Sequence, residues 1–398
     1  MIKKDYSEEY QIIKILQKTP ISTIYLTNKY GLSFKNIIEK IDISNLSDKE
    51  VDEIEHEINI NNSLNSRFIL KINDCFQNQK NLNFIYIISE FFQSITLKDF
   101  LLNEQKKLCL FIKEEIIWKI LIQLCLAIYD IHSKNIIHRN LTLSQILLDS
   151  ELNIKLTNFK NSYLLNFKYD LCNEEMQINE YTAPEIILNK GYNTKSDIWS
   201  LGVILYELCS FDKPFIDEDR EKLSKKIIKG KYKSLGNKYS KNLTNLIYNM
   251  LKVNYHERFS INDIIHEKIF NIKSKELSLS YYSDKIINSQ KTRCPKVKNK
   301  FVIYRNDDKN SKNLYKRDEK QKNYLEELIY IKQNVEDILG KPKTDKLFTQ
   351  LTTNNINEVI YKYNYDSFNP EDNEKLKLLL VEYIHLVSKG GSFIKNKI

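Results

Sequence analysis

A chain of 398 residues is long for one core, and 42% hydrophobic with 11% aromatic residues is ample to bury one, which excludes a disordered polypeptide. The net charge of +9 permits acidic partners without demanding any, and the 8 glycines leave little room for a glycine-rich loop. Six scattered cysteines (Cys75, Cys109, Cys125, Cys172, Cys209, Cys294) show no Cys-x-x-Cys pair and no metal-ligand spacing, so free thiols in a reducing compartment are expected, and no metal site.

The N-terminal MIKKDYSEEYQ has no apolar signal core, and the longest apolar stretch, Ile116 to Ile131, is interrupted by Lys119, Gln123 and Asp130. No membrane span and a cytoplasmic location are therefore expected.

From Tyr10 to Phe92 short runs such as QIIKIL, TIYLTN, NIIEKIDI and NLNFIYIISEFF alternate apolar and polar residues, the period of half-buried strands. One helix interrupts them over Ser47–Leu64, with Val51, Ile54, Ile58 and Leu64 on its apolar side and Ser47 and Glu50 spaced as a capping box. After Thr96 the period lengthens. Ile116, Ile117, Ile120, Leu121, Leu124, Ile128 and Ile131 predict a long buried helix, and further helices are predicted over Ser196–Cys209, Asp219–Lys229, Leu243–Leu251 and Ile261–Glu267. The stretch 273–316 is polar and basic, densest over Lys291–Lys300, and reads as a linker. Three amphipathic helical patterns then form a helical tail over 317–391, the first ending at Gly340.

The segments YTAPE (Tyr181–Glu185), SDIWSLGVILYEL (Ser196–Leu208) and HERFSINDII with Arg258, together with IIHRNLTLSQILL (Ile136–Leu148) and IKLTNFK (Ile154–Lys160), resemble the eukaryotic protein kinases. KIDISNLSDKE and ERFSINDIIHEKIF look closest to the NIMA-related serine/threonine kinases. The resemblance implies an α+β, bilobal fold over 10–272, with a small β-rich N-lobe (10–92) and a large helical C-lobe (97–272). It also implies structural roles: Glu185 pairs with Arg258, Asp197 caps the backbone of the catalytic loop, His138 and Phe159 form two layers of a stack linking the lobes with Asn61 at a third, and Arg139 is placed to anchor a phosphorylated segment or to pair with a nearby carboxylate. Ser162, Tyr163 and Tyr169 are candidate phosphosites, or ordinary loop residues.

The positions that would carry the chemistry depart from the family pattern. Gln17, Thr19 and Ser22 stand where phosphate-cradling glycines are expected, and Pro20 between them has no N–H. The lysine that holds the α- and β-phosphates falls at Glu39, opposite Glu57, the helix glutamate it should pair with. A one-residue slip would bring Lys40 there, but strand alternation turns Lys40 away if Ile37 faces the cleft. Ile37 is bulky where a small residue meets adenine, and Ile24, Ile37 and Leu147 match the stack that adenine completes. Asn140 replaces the catalytic aspartate, Thr142 the catalytic-loop lysine, Gln145 and Asn158 the two magnesium ligands, Lys160 the glycine after Phe159, and Ile178 the activation-segment threonine.

These substitutions lead to an expectation of no useful catalysis and no bound cofactor. The chain is then a pseudokinase that regulates or scaffolds through a protein partner, for example an active kinase; nucleic acid is disfavoured because the basic run lacks stacking aromatics. Two alternatives stay open: a slow or unconventional serine/threonine kinase using ATP and Mg with Lys40 and Asn140, and a structural adaptor working through its tail.

Overall fold

A computed structural model describes residues 2–3, 9–30, 35–78, 81–107, 111–165, 170–279, 301–303, 335, 347 and 379–380. The chain divides into one unit over Met1–Tyr304 and a second over Arg305–Ile398.

Alternation of β-branched and polar residues builds the first layer. Strands β1 (Ile2–Lys3), β2 (Tyr10–Lys18), β3 (Ser22–Lys29), β4 (Lys35–Asp42), β5 (Ile72–Asn78) and β6 (Phe84–Glu90) form one sheet in the order β1-β5-β6-β4-β3-β2. All neighbours are antiparallel except β1 with β5, a short pairing that precedes the N-lobe start expected at residue 10. Helix α1 (Asp48–Ser63) crosses between β4 and β5. Its start is the expected capping box: the Ser47 hydroxyl accepts the Glu50 N–H, and the Glu50 carboxylate accepts the Ser47 N–H at 2.8 Å.

Below the sheet come β7 (Ile95–Thr96), α2 (Leu97–Lys106) and α3 (Glu114–His132). Along α3, thirteen residues from Ile117 to Ile131 are buried, which explains its nearly unbroken apolar sequence: it is the central post of the C-lobe. Short strands β8 (Ile136–Ile137), β9 (Ile146–Leu148), β10 (Ile154–Leu156) and β11 (Tyr163–Leu164) carry the loops that form the floor of the cleft. Then follow α4 (Pro184–Ile187), α5 (Lys195–Ser210), α6 (Arg220–Lys229), α7 (Lys241–Met250), α8 (Ile261–His266) and α9 (Lys268–Glu276). Gly202 lets α5 lie against α7, because a Cβ there would sit 2.9 Å from the Met250 Cβ. Among the described residues no helix is long and apolar enough to cross a membrane. Cys75, Cys125, Cys172 and Cys209 are free and buried; Cys109 and Cys294 lie outside the described residues.

Two boundaries need correction. The C-lobe does not stop at 272, since α9 runs through to Glu276 and Leu279 joins its core. The stretch 273–316 is not wholly a linker either, because Phe301 and Ile303 are buried against the N-lobe. Of the expected tail, Val335, Leu347, Leu379 and Leu380 are helical and buried, and the rest lies outside the described residues.

Under α5 the expected ion pair is present. Arg258 meets Glu185 in a bidentate contact at 2.7 and 2.8 Å with both side chains buried, and also donates to the Lys195 and Lys252 carbonyls while lying over the Trp199 ring. Removing one partner strands a buried charge. Arg258→Ala should therefore lower unfolding stability by ~3–5 kcal/mol in urea melts, and the paired change Glu185→Leu with Arg258→Met should cost clearly less than Arg258→Ala.

Candidate functional site

The cleft between the lobes is bounded above by β3 and β4 and by α1. In β4 the residues Ile37, Glu39 and Ile41 share one face and Ile38 and Lys40 the other. Glu39 lies opposite Ile24 of β3 and Ile87 of β6. Lys40 lies with its Nζ 3.9 Å from the centre of the Phe84 ring on the opposite face, so the one-residue slip does not occur. Burial pushes the Glu39 carboxyl above the usual glutamate range, partly countered by a hydrogen bond with Ser22.

Glu57 is the other upper-wall carboxyl. It accepts the Phe159 N–H at 3.0 Å. Burial raises its pKa, the Phe159 hydrogen bond opposes that, and the neighbouring Glu39 charge adds to the rise. Two carboxyls thus face one another where the resemblance implied an ion pair.

The β2–β3 turn is held by its own side chains. The Thr19 N–H donates to the Ser22 carbonyl at 2.8 Å, and the Ser22 N–H to the Thr19 hydroxyl at 2.9 Å. Those two amides are engaged within the turn, while Gln17 lies exposed on β2 opposite Ile24.

On the floor, Asp197 is buried at the start of α5 and accepts the His138 N–H at 2.9 Å and the Arg139 N–H at 3.0 Å, with the His132 ring at 2.8 Å. This is the implied cap of the catalytic loop. His138 packs edge-on against Phe159 with ring centres 5.0 Å apart. Burial lowers its pKa and favours the neutral ring, whose Nδ1 accepts the Asn140 N–H while Nε2 donates to the Thr157 carbonyl. The Gln145 carbonyl accepts the Thr157 N–H at 2.9 Å, which ties the Gln145 backbone to the residue before Asn158. Asn158 adopts φ +65°, a left-handed conformation that asparagine tolerates well. Asn61, polar in an otherwise apolar stack, donates to the Leu70 carbonyl at 2.8 Å and accepts the Ile72 N–H at 2.9 Å, tying α1 to the start of β5.

Several arrangements were not visible in the sequence. Lys160 pairs with Glu53 of α1 at 3.1 Å, and the His56 ring lies 2.9 Å from the Ser162 carbonyl. Ser162 is buried and donates to the Phe159 carbonyl, so it is not an accessible phosphosite. Arg139 takes the carboxylate alternative: it pairs with Glu174, and its guanidinium lies near the Tyr163 ring. Tyr169 lies outside the described residues. Asn179 and Thr182, bonded to each other, line a small cavity with Asn140, Thr142 and Ser200, whereas Ile178 is half-buried next in sequence. A polar residue one place from an expected threonine was the signal for them.

The protein kinase domain model matches residues 21–270, which take in β3 and β4, α1, the catalytic loop and most of the C-lobe. The chain belongs to the protein kinase family. Its relatives include serine/threonine-protein kinase Nek1 of Mus musculus, 33% identical over 245 residues, which is 61% of this chain and 20% of the mouse protein. The probable serine/threonine-protein kinase nek2 of Dictyostelium discoideum is 27% identical over 278 residues, 69% of this chain and 66% of that protein. Serine/threonine-protein kinase Nek2 of Homo sapiens is 28% identical over 236 residues, 58% of this chain and 53% of that protein. The kinase chain thus matches from a fifth to two thirds of the length of these relatives. The resemblance to NIMA-related kinases stands. The expectation that the chain is not an enzyme does not: it is corrected by the match to a kinase domain and by relatives that are serine/threonine kinases.

Glu39 gives a test of the cleft's electrostatics. Its folded pKa lies above the usual 4.5, so the folded protein binds more protons than the unfolded chain just above that value. Stability attributable to Glu39 then falls as pH rises from 4.5 through the raised value. Glu39→Gln should melt above wild type at pH 8 and lose that advantage at pH 4; an equal difference at both values would refute the assignment.

Proposed function

We propose that this chain is a slow, unconventional ATP-dependent serine/threonine protein kinase of the NIMA-related kind. The observation that carries the reading is the assembled cleft: Glu57 is drawn in against the Phe159 N–H while Asp197 holds the His138 and Arg139 backbone. Phosphoryl transfer is mostly positioning, and this is the positioning frame it needs.

The family implies Mg·ATP as cofactor. Asn158 and Gln145 offer neutral carbonyl oxygens to a magnesium ion, a weaker donor set than carboxylates. At the phosphate end the fit fails. The Glu39 and Glu57 carboxyls repel a triphosphate, and the Thr19 and Ser22 amides are already engaged. What this chain's residues supply is orientation: Asn140 can hold a substrate hydroxyl by hydrogen bonding, but an amide is no base at neutral pH. Arg139, paired with Glu174, orders the activation segment with no phosphate needed.

The two carboxyls also favour a second reading, in which the kinase-like surface regulates a protein partner by binding it. Free buried thiols support placing either activity in the cytoplasm.

The assay is transfer of labelled γ-phosphate from Mg·ATP to a serine/threonine protein substrate by the full chain. Wild type should run at least ~10²-fold below the ~1–100 s⁻¹ of ordinary kinases, and Asn140→Asp should raise the rate by ~10²-fold or more. Glu39→Lys should enlarge the rise in melting temperature caused by Mg·ATP. Lys40→Ala should change nothing, because Lys40 lies over Phe84. Silence from wild type and from folded Asn140→Asp with Glu39→Lys would end the kinase reading and leave the binding one.

A further inference from the structure

The basic run after the C-lobe leads into three residues, Phe301–Ile303, that return to the N-lobe. Phe301 and Ile303 are 5% and 3% exposed, packed with Ile41, Val51, Ile58 and Ile85 between α1 and the sheet. The backbone is held as firmly as the side chains. The Asn59 carboxamide donates to the Phe301 carbonyl at 3.0 Å and accepts the Phe301 N–H at 2.8 Å, and Glu55, one helical turn earlier, accepts the Ile303 N–H at 2.9 Å. Paired bonds to one residue's backbone with apolar sockets for residues i and i+2 are the chemistry that recognises an extended peptide. Charge matches as well: Lys296, Lys298, Lys300 and Arg305 flank the segment in sequence, and the α1 residue that takes the Ile303 N–H is the carboxylate of Glu55.

We propose that the groove between α1 and the N-lobe sheet is a docking site for an extended Phe-x-Ile segment flanked by basic residues, that its occupant is this chain's own Phe301–Ile303, and that occupancy fixes α1 and with it Glu57. Val51, Glu55, Ile58 and Asn59 meet the segment, while His56 and Glu57 on the same helix meet the activation segment. The helix is therefore gripped from two sides, and this holds whether or not phosphate is transferred.

The test uses the full chain. In Phe301→Ser/Ile303→Ser, amide exchange over residues 51–60 should quicken by about tenfold or more, and a fluorescent peptide of residues 296–305 should bind and restore protection. Wild type should bind that peptide at least ~10-fold more weakly, because its tethered copy competes at high effective concentration. Asn59→Ala, which leaves every apolar contact in place, should quicken exchange in the same direction and so separates lost docking from lost folding. Unchanged exchange in both variants, or a peptide that binds wild type and double variant equally, would overturn the proposal. Protection in wild type that falls on dilution would put a second copy's segment in the groove and overturn the assignment to the same chain.

Discussion

Glu57 is a half-buried carboxyl group that faces another carboxyl, Glu39, with only the charge of Lys160 to oppose the repulsion. In the arrangement that the family pattern implies, a strand lysine supplies the opposite charge, and the attraction itself holds the helix inward. Here the strand position is Glu39, so the electrostatic term has the wrong sign and works to open the cleft. The inward position of α1 must come from elsewhere, and it does. The Phe159 N–H binds the Glu57 carboxyl, His56 meets Ser162, Glu53 meets Lys160, Asn61 ties the helix to β5, and Phe301–Ile303 pack on its far side.

The C-lobe shows the opposite economy. Among the described residues its buried charges are paired or hydrogen-bonded: Asp197 with two backbone N–H groups and His132, Arg258 with Glu185 and backbone carbonyls, Glu207 with the Tyr181 hydroxyl. None of these contacts involves the side chains of Glu39, Asn140 or Asn158. They fix the catalytic loop and the end of the activation segment whatever stands at positions 39, 140 or 158, which is why a chain at 27–33% identity to its relatives keeps the whole domain recognisable.

Much of this was legible because it is local. The Ser47–Glu50 spacing announced the start of α1, the apolar steps from Ile116 announced α3, and strand parity alone said that Lys40 and Ile37 could not share a face. The rest depends on contacts whose partners are far apart in the chain. Asn59 and Phe301 are 242 residues apart, and a three-residue docking segment inside a basic stretch has no period to betray it. Asn61 looked like a flaw in an apolar stack, since its partners are backbone groups and sequence carries no mark of them. Ser162 looked accessible for the same reason. The step from the identities at Glu39, Asn140 and Asn158 to the absence of an enzyme was too long, because residue loss speaks to rate and not to family membership.

The position of α1 and the occupancy of the cleft are therefore separable properties in this molecule. Where a lysine–glutamate pair closes a kinase, the same charge that positions the helix also holds phosphate, so conformation and nucleotide affinity rise and fall together. Here the helix is positioned by backbone donors, by carboxylate contacts outside the phosphate site and by an apolar clip. A ligand that shifts a conformational equilibrium must bind one state better than the other. A segment seated on Asn59 and Glu55 touches the helix directly. The contacts that steady this helix thus lie on its outer side, at Asn59 and Glu55, as well as at the cleft.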